Sequence, residues 1–83
     1  MHKDVRYKAV RDLIKTNSIT EFGQIFDTLP KSVIAKELRK NTNRIDDLIE
    51  HPEELRYKEI KIISSFLDVP CSMIIKLFDK EFL

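Results

Sequence analysis

The chain has 83 residues, 42% hydrophobic and 35% charged, with a formal net charge of +1. A chain this short buries only about 60% of its unfolded surface, which excludes a second domain, and its composition excludes a disordered polar tail. One cysteine, Cys71, with only His2 and His51 beside it, excludes an internal disulfide framework and a zinc-ligand cluster.

The N-terminus, Met1-His2-Lys3-Asp4-Val5-Arg6, runs into mixed charged and apolar sequence. Neither a signal peptide nor a membrane span is expected, and a cytoplasmic protein is the default. The charge is polarised along the chain. Residues 1–17 carry five basic and two acidic side chains, residues 31–44 five basic and one acidic, and residues 45–59 six acidic and two basic.

A single glycine, three prolines and no Asn-Gly or Asp-Gly turn predict an all-α fold. The first helix is expected from about Asp4 to Lys15, with Val5, Ala9, Val10, Leu13 and Ile14 as its apolar stripe and Asn17-Ser18 closing it. A short second helix follows Thr20, whose hydroxyl would cap it, with Phe22, Ile25, Phe26 and Leu29 inward. Pro30 suits the first turn of a third helix, buried through Val33, Ile34, Ala35 and Leu38 and ending near Lys40.

Asn41 is a good N-cap for a fourth helix with Ile45, Leu48 and Ile49 inward, stopped by Pro52. Tyr57 to Leu67 predicts a central helix: Ile60, Ile63 and Leu67 share one face, with Ile62 and Phe66 beside it. Asp68-Val69-Pro70 breaks the chain before a last helix carrying Met73, Ile74, Leu77 and Phe78, with Phe82 and Leu83 trailing. The whole reads as a compact bundle of five to six short helices in one domain.

Val33 to Ile49 reads as two short helices joined by a tight turn. Ala35 is small where the helices cross, Leu38 fills the corner, and Ile45 and Leu48 return to the same core. From about Leu29 to Phe78 the sequence resembles the lambda-repressor-like (Cro/repressor-type) helix-turn-helix family. Ile34-Ala35-x-x-Leu38 is similar to its first motif helix, Ile45-x-x-Leu48 to its recognition helix, and Leu67-x-Val69 to the end of its penultimate helix, with Ser64 at a small-residue position. Arg39 stands in the turn where the family favours glycine, and His51-Pro52-Glu53-Glu54 replaces a glycine-containing loop.

The resemblance implies a small DNA-binding transcriptional regulator with no cofactor, reading the major groove of double-stranded DNA with the helix Thr42–Glu50. At 100° per residue Asn43, Asp47 and Glu50 centre its outward face. Asn43 suits adenine, Arg44 guanine or a phosphate, and Asp47 cytosine N4. Lys31, Lys36, Arg39, Lys40 and Arg44 would carry the phosphate contacts, with Thr42 adding one. Apolar residues in excess along Met73 to Leu83 raise a homodimer through the last helix, which would fit palindromic half-sites.

Each of these residues also has a plain structural reading. Asn41 needs no role beyond capping, which is compatible with a phosphate contact. Asp46 and Asp47 complement the helix dipole as well as they would read a base. His51 is expected to serve as a C-terminal dipole partner, Glu50, Glu53 and Glu54 as solvated surface, and Cys71 as a semi-buried helix start. The alternative function is a protein-interaction module whose acidic face, Asp46, Asp47 and Glu50, takes a basic protein partner. With no nucleophile–base pair, carboxylate pair in a cleft, glycine-rich phosphate loop or metal set, an enzyme is not expected.

Overall fold

Helices in this chain stop where the backbone is turned left-handed or meets a proline. The computed structural model describes residues 5–79, so Asp4, Phe82 and Leu83 of the expected elements lie outside the described residues. The α-helices are α1 (Val5–Lys15), α2 (Lys31–Leu38), α3 (Thr42–Glu50), α4 (Tyr57–Leu67) and α5 (Cys71–Asp79). Two 3₁₀ helices, Phe22–Asp27 and Pro52–Glu54, complete the described residues, which contain no strand.

Three of the helices end alike. Asn17, Arg39 and Asp68 follow α1, α2 and α4 with φ of 62°, 59° and 58°. The next residue then donates its N–H back to the last turn: Ser18 to Leu13 O at 2.8 Å, Lys40 to Ala35 O at 2.9 Å, and Val69 to Ser64 O at 3.0 Å. This Schellman closure satisfies carbonyls the helix leaves unpaired. Asn and Asp tolerate the left-handed region; Arg39 adopts it at a cost of about 1 kcal/mol. It ends α2 two residues before Lys40, and Pro30 precedes the helix as its extended N-cap rather than opening it.

The segment after Thr20 is a 3₁₀ helix, not an α-helix, and the Thr20 hydroxyl does not cap it. The N-cap is Glu21, and the Gln24 side chain reaches back from the first turn, accepting from the Thr20 N–H at 2.7 Å and the Glu21 N–H at 3.2 Å. Phe22, Ile25 and Leu29 are buried as expected, and Phe26 is half-buried.

α4 packs against α1, α2 and α5, and α3 lies on α2 beside the Pro52–Glu54 turn. The core gathers Val10, Ile25, Ile34, Ile45, Leu48, Ile63, Leu67, Ile74 and Phe78. The radius of gyration, 11.6 Å, matches the roughly 12 Å of a folded chain this long. Two expected core positions move outward. Ala9 is exposed because α1 faces the core through Val10 and Ile14, with the Tyr7 ring tilted against that of Phe66, centroids 4.2 Å apart. Ile49 is 38% exposed because it lies at the edge of the α3 stripe, above Gly23.

The apolar surplus of the last helix is largely used inside the molecule. Ile74, Leu77 and Phe78 are buried, Phe78 with its ring 4.7 Å from that of Phe22. Among the described residues Ile75, 44% exposed, is what remains of the case for a homodimer through α5. Among the described residues no helix is long and apolar enough to cross a membrane.

Candidate nucleic-acid interface

α3 presents its first turn to solvent because only its opposite side has core to meet. Asn41 caps it, its Oδ1 accepting the Asn43 N–H at 3.0 Å, so the amide oxygen is committed to the backbone. Thr42 and Asn43 are exposed just beyond the cap, while Ile45 and Leu48 anchor the helix from behind. Asn43, Asp47 and Glu50 are all exposed, in the arrangement the 100° wheel gives.

Arg44 is not available as the sequence led us to expect. Its side chain is 15% exposed and its guanidinium is held by Glu59, Nε donating to Oε2 at 2.8 Å and Nη2 to Oε1 at 2.7 Å. Nη2 also donates to the Glu54 carbonyl at 2.9 Å, and the Glu54 carboxylate lies 3.6 Å from Nη1. Planar, bidentate and nearly buried, this fork ties α3 to α4 and to the turn between them.

Burial pushes the Glu59 carboxyl up, but the Arg44 guanidinium and the Arg56 N–H, 3.0 Å away, outweigh it. They hold the group below the ordinary glutamate value of 4.5. The same hydrogen bond to Glu59, against a smaller desolvation effect, raises the Arg44 pKa. Both partners are charged at neutral pH, and a guanine or phosphate contact by Arg44 would have to break them apart.

The remaining cations fall into two groups. Lys31, the first residue of α2, reaches Asp46 at 2.5 Å and neutralises one carboxylate of α3. Lys36, Arg39 and Lys40 are exposed and make no ion pair among the described residues. Packing of α2 on α4 adds two cations that the sequence reading missed: Arg56 and Lys58 line one open cavity of about 440 Å³ with Arg39 and Lys40. These two pairs are far apart in the chain, and their only sequence signal was the helix start at Tyr57.

The carboxylates divide similarly. Asp46 is taken by Lys31, and Glu54 and Glu59 by Arg44. His51 Nδ1 lies 3.5 Å from Glu53, and the His51 N–H closes α3 on Asp47 O at 2.7 Å. That turn sets ligand atoms of His51, Glu53 and Glu54 within 4.8 Å of one another, a proximity the sequence spacing did not show. Asp47 and Glu50 make no ion pair among the described residues and define the acidic part of the outer face.

Cys71 opens α5 half-buried, as expected, with its Sγ 3.2 Å from the hydroxyl of buried Ser64. No family model, curated protein or solved structure matches this chain.

Proposed function

We propose that α2, the turn 39–41 and α3 act as a helix-turn-helix of the lambda-repressor-like kind. The chain is then a small DNA-binding transcriptional regulator. The observation that carries this reading is the exposed, polar first turn of α3, which follows directly on Arg39 and Lys40; these two cations line one open cavity with Arg56 and Lys58, and none of the four is ion-paired among the described residues. Phosphate neutralisation supplies most of the affinity in such complexes, and here it falls to these four side chains, with Lys36 beside them.

Asn43 reads the base, its amide suiting adenine N6 and N7, and Thr42 adds a phosphate contact. Arg44 positions the recognition helix instead of touching the nucleic acid. Asp47 accepts from cytosine N4 or stands as local repulsion that sharpens sequence choice.

A selection on random duplexes followed by fluorescence anisotropy tests the proposal. Four phosphate contacts give a slope of log K against log salt near −3.6, about −0.9 per contact. Asn43→Ala is expected to lose about 1–3 kcal/mol of discrimination at one base pair. Absence of salt-sensitive duplex binding near physiological salt overturns the proposal.

The second reading, an interaction module with an acidic recognition face for a basic protein partner, now rests on Asp47 and Glu50, because Asp46 is neutralised. Asp47→Lys separates the two. It raises general duplex affinity under the first and abolishes partner capture under the second.

A further inference from the structure

The groove between α2 and α4 has a composition that nucleic-acid binding alone does not use. Two adjoining cavities, about 440 and 450 Å³, share Glu37 and Ile62 as lining residues, and together they are called the groove. Its floor is apolar: Leu38 near one end, Ile62 in the middle, and Phe66, packed under Tyr7, at the other. Its rims carry Arg39 and Lys40 from the turn after α2, Arg56 from the N-cap of α4, and Lys58 and Lys61 from α4 itself. None of the five makes an ion pair among the described residues; Lys61 lies over the Tyr57 ring at 5.6 Å, which leaves its charge uncompensated. Of the two carboxylates lining the groove, Glu59 is neutralised by Arg44, leaving Glu37.

We propose that this groove docks an acidic, amphipathic helix of a protein partner. The rim from Arg56, the N-cap of α4, to Phe66 spans ten residue steps, about 15 Å at 1.5 Å per step, which accommodates close to three turns of a partner helix. Leucine-like side chains at i, i+3 or i+4 and i+7 meet Leu38, Ile62 and Phe66, and glutamates on both flanks meet the five cations. A phosphodiester backbone would satisfy the cations but leave Ile62 and Phe66 uncovered. Arg39, Lys40, Arg56 and Lys58 serve both ligands, so a docked acidic helix weakens duplex binding by competition, giving the partner a regulatory effect.

The test uses the full chain and a fluorescein-labelled fifteen-residue peptide with leucines at the helical spacing above and glutamates elsewhere. A scrambled peptide of identical composition is the control. The amphipathic peptide is expected to bind about tenfold more tightly than the scramble. Lys61→Glu, or the independent rim variant Ser65→Glu, is expected to weaken it by about tenfold or more through like-charge repulsion. Both positions are exposed, so the fold tolerates the changes. Duplex affinity of Lys61→Glu should stay within about twofold of the parent chain, as for an ordinary surface change. The proposal is overturned if the scramble binds equally well or if both variants leave peptide affinity unchanged. It is also overturned if Lys61→Glu weakens duplex binding as much as peptide binding, which would make the groove a nucleic-acid surface. Absence of duplex binding with intact peptide binding would remove the DNA reading and leave this one standing.

Discussion

The basic block 31–44 and the acidic block 45–59 are near mirror images in sequence, yet the fold treats them differently. Of the five cations in the first, Lys31 and Arg44 are paired, and Lys36, Arg39 and Lys40 keep their charge at the surface. Of the six carboxylates in the second, Asp46, Glu54 and Glu59 have cationic partners and Glu53 faces His51, so Asp47 and Glu50 remain. The acidic run is largely neutralised by Lys31 and Arg44 of the basic run, while the remaining basic charge is reinforced by Arg56 and Lys58. A run of charge in a sequence is therefore a poor guide to a surface field, because the neutralising partner sits elsewhere in the chain. Lys31 and Asp46 are fifteen residues apart, and so are Arg44 and Glu59.

The strongest way to break this contrast is to remove Glu59. Glu59→Ala strands the Arg44 guanidinium in a nearly buried site, and urea denaturation is expected to show a loss of about 3–5 kcal/mol. The total stability of such a chain is only about 5–10 kcal/mol, so Glu59→Gln serves as the milder companion. Its pH dependence has a definite sign. Because the folded pKa of Glu59 lies below the ordinary 4.5, its stabilisation is fully present above that value. It is lost as pH falls through the lowered folded value. The gap between parent and Glu59→Gln should therefore be constant near neutrality and shrink as the pH drops below the ordinary 4.5. A gap that stays level into acid would show that the ion pair contributes nothing.

Most helix boundaries were legible because their causes are local. The Asn41 cap, the stops before Pro52 and Pro70, and the apolar spacing of Tyr57–Leu67 each depend on a few adjacent residues. What was not legible depends on packing. Arg44 looked like a surface arginine because its partner is on another helix. Ile49 looked internal because periodicity marks a stripe without saying where the neighbouring chain ends. The cationic groove needed α2 laid on α4 before Arg39 and Arg56 could be counted together. The segment Phe22–Asp27 is 3₁₀ with Glu21 as its N-cap, and the Gln24 side chain reaches back to the N–H groups of Thr20 and Glu21, a contact with no advance signature in composition.

Arg39 sharpens the contrast at an intermediate scale. It is a free cation of the basic block and, among the described residues, the one other than Asn or Asp held at positive φ, at 59°. Arg39→Gly removes the Cβ clash of the left-handed region and should stabilise the fold by roughly 1 kcal/mol, read as a rise in Tm. The same change deletes one phosphate-facing charge, so the salt slope of duplex binding should flatten by about 0.9. Stability and affinity thus move in opposite directions. A variant that is more stable and binds with an unchanged slope would place Arg39 outside the interface.

The smallest effect is expected at Lys31, and its size decides what makes an ion pair matter here. The Lys31–Asp46 contact, at 2.5 Å, is as short as the 2.7 Å contact between Arg44 and Glu59. Exposure differs instead: the side chains of the first pair are 43% and 48% exposed, those of the second 15% and 4%. Water and salt screen the first, so Lys31→Ala is expected to cost less than about 1 kcal/mol. That cost should vanish in roughly 1 M salt, where the screening length is about 3 Å. The Glu59→Ala loss should persist in the same salt, because neither solvent nor ions reach its partner freely. If the two variants cost the same, or fade together with salt, then distance and not burial sets the energy. The acidic block would then be neutralised only in geometry, with its field still present at the outer face of α3.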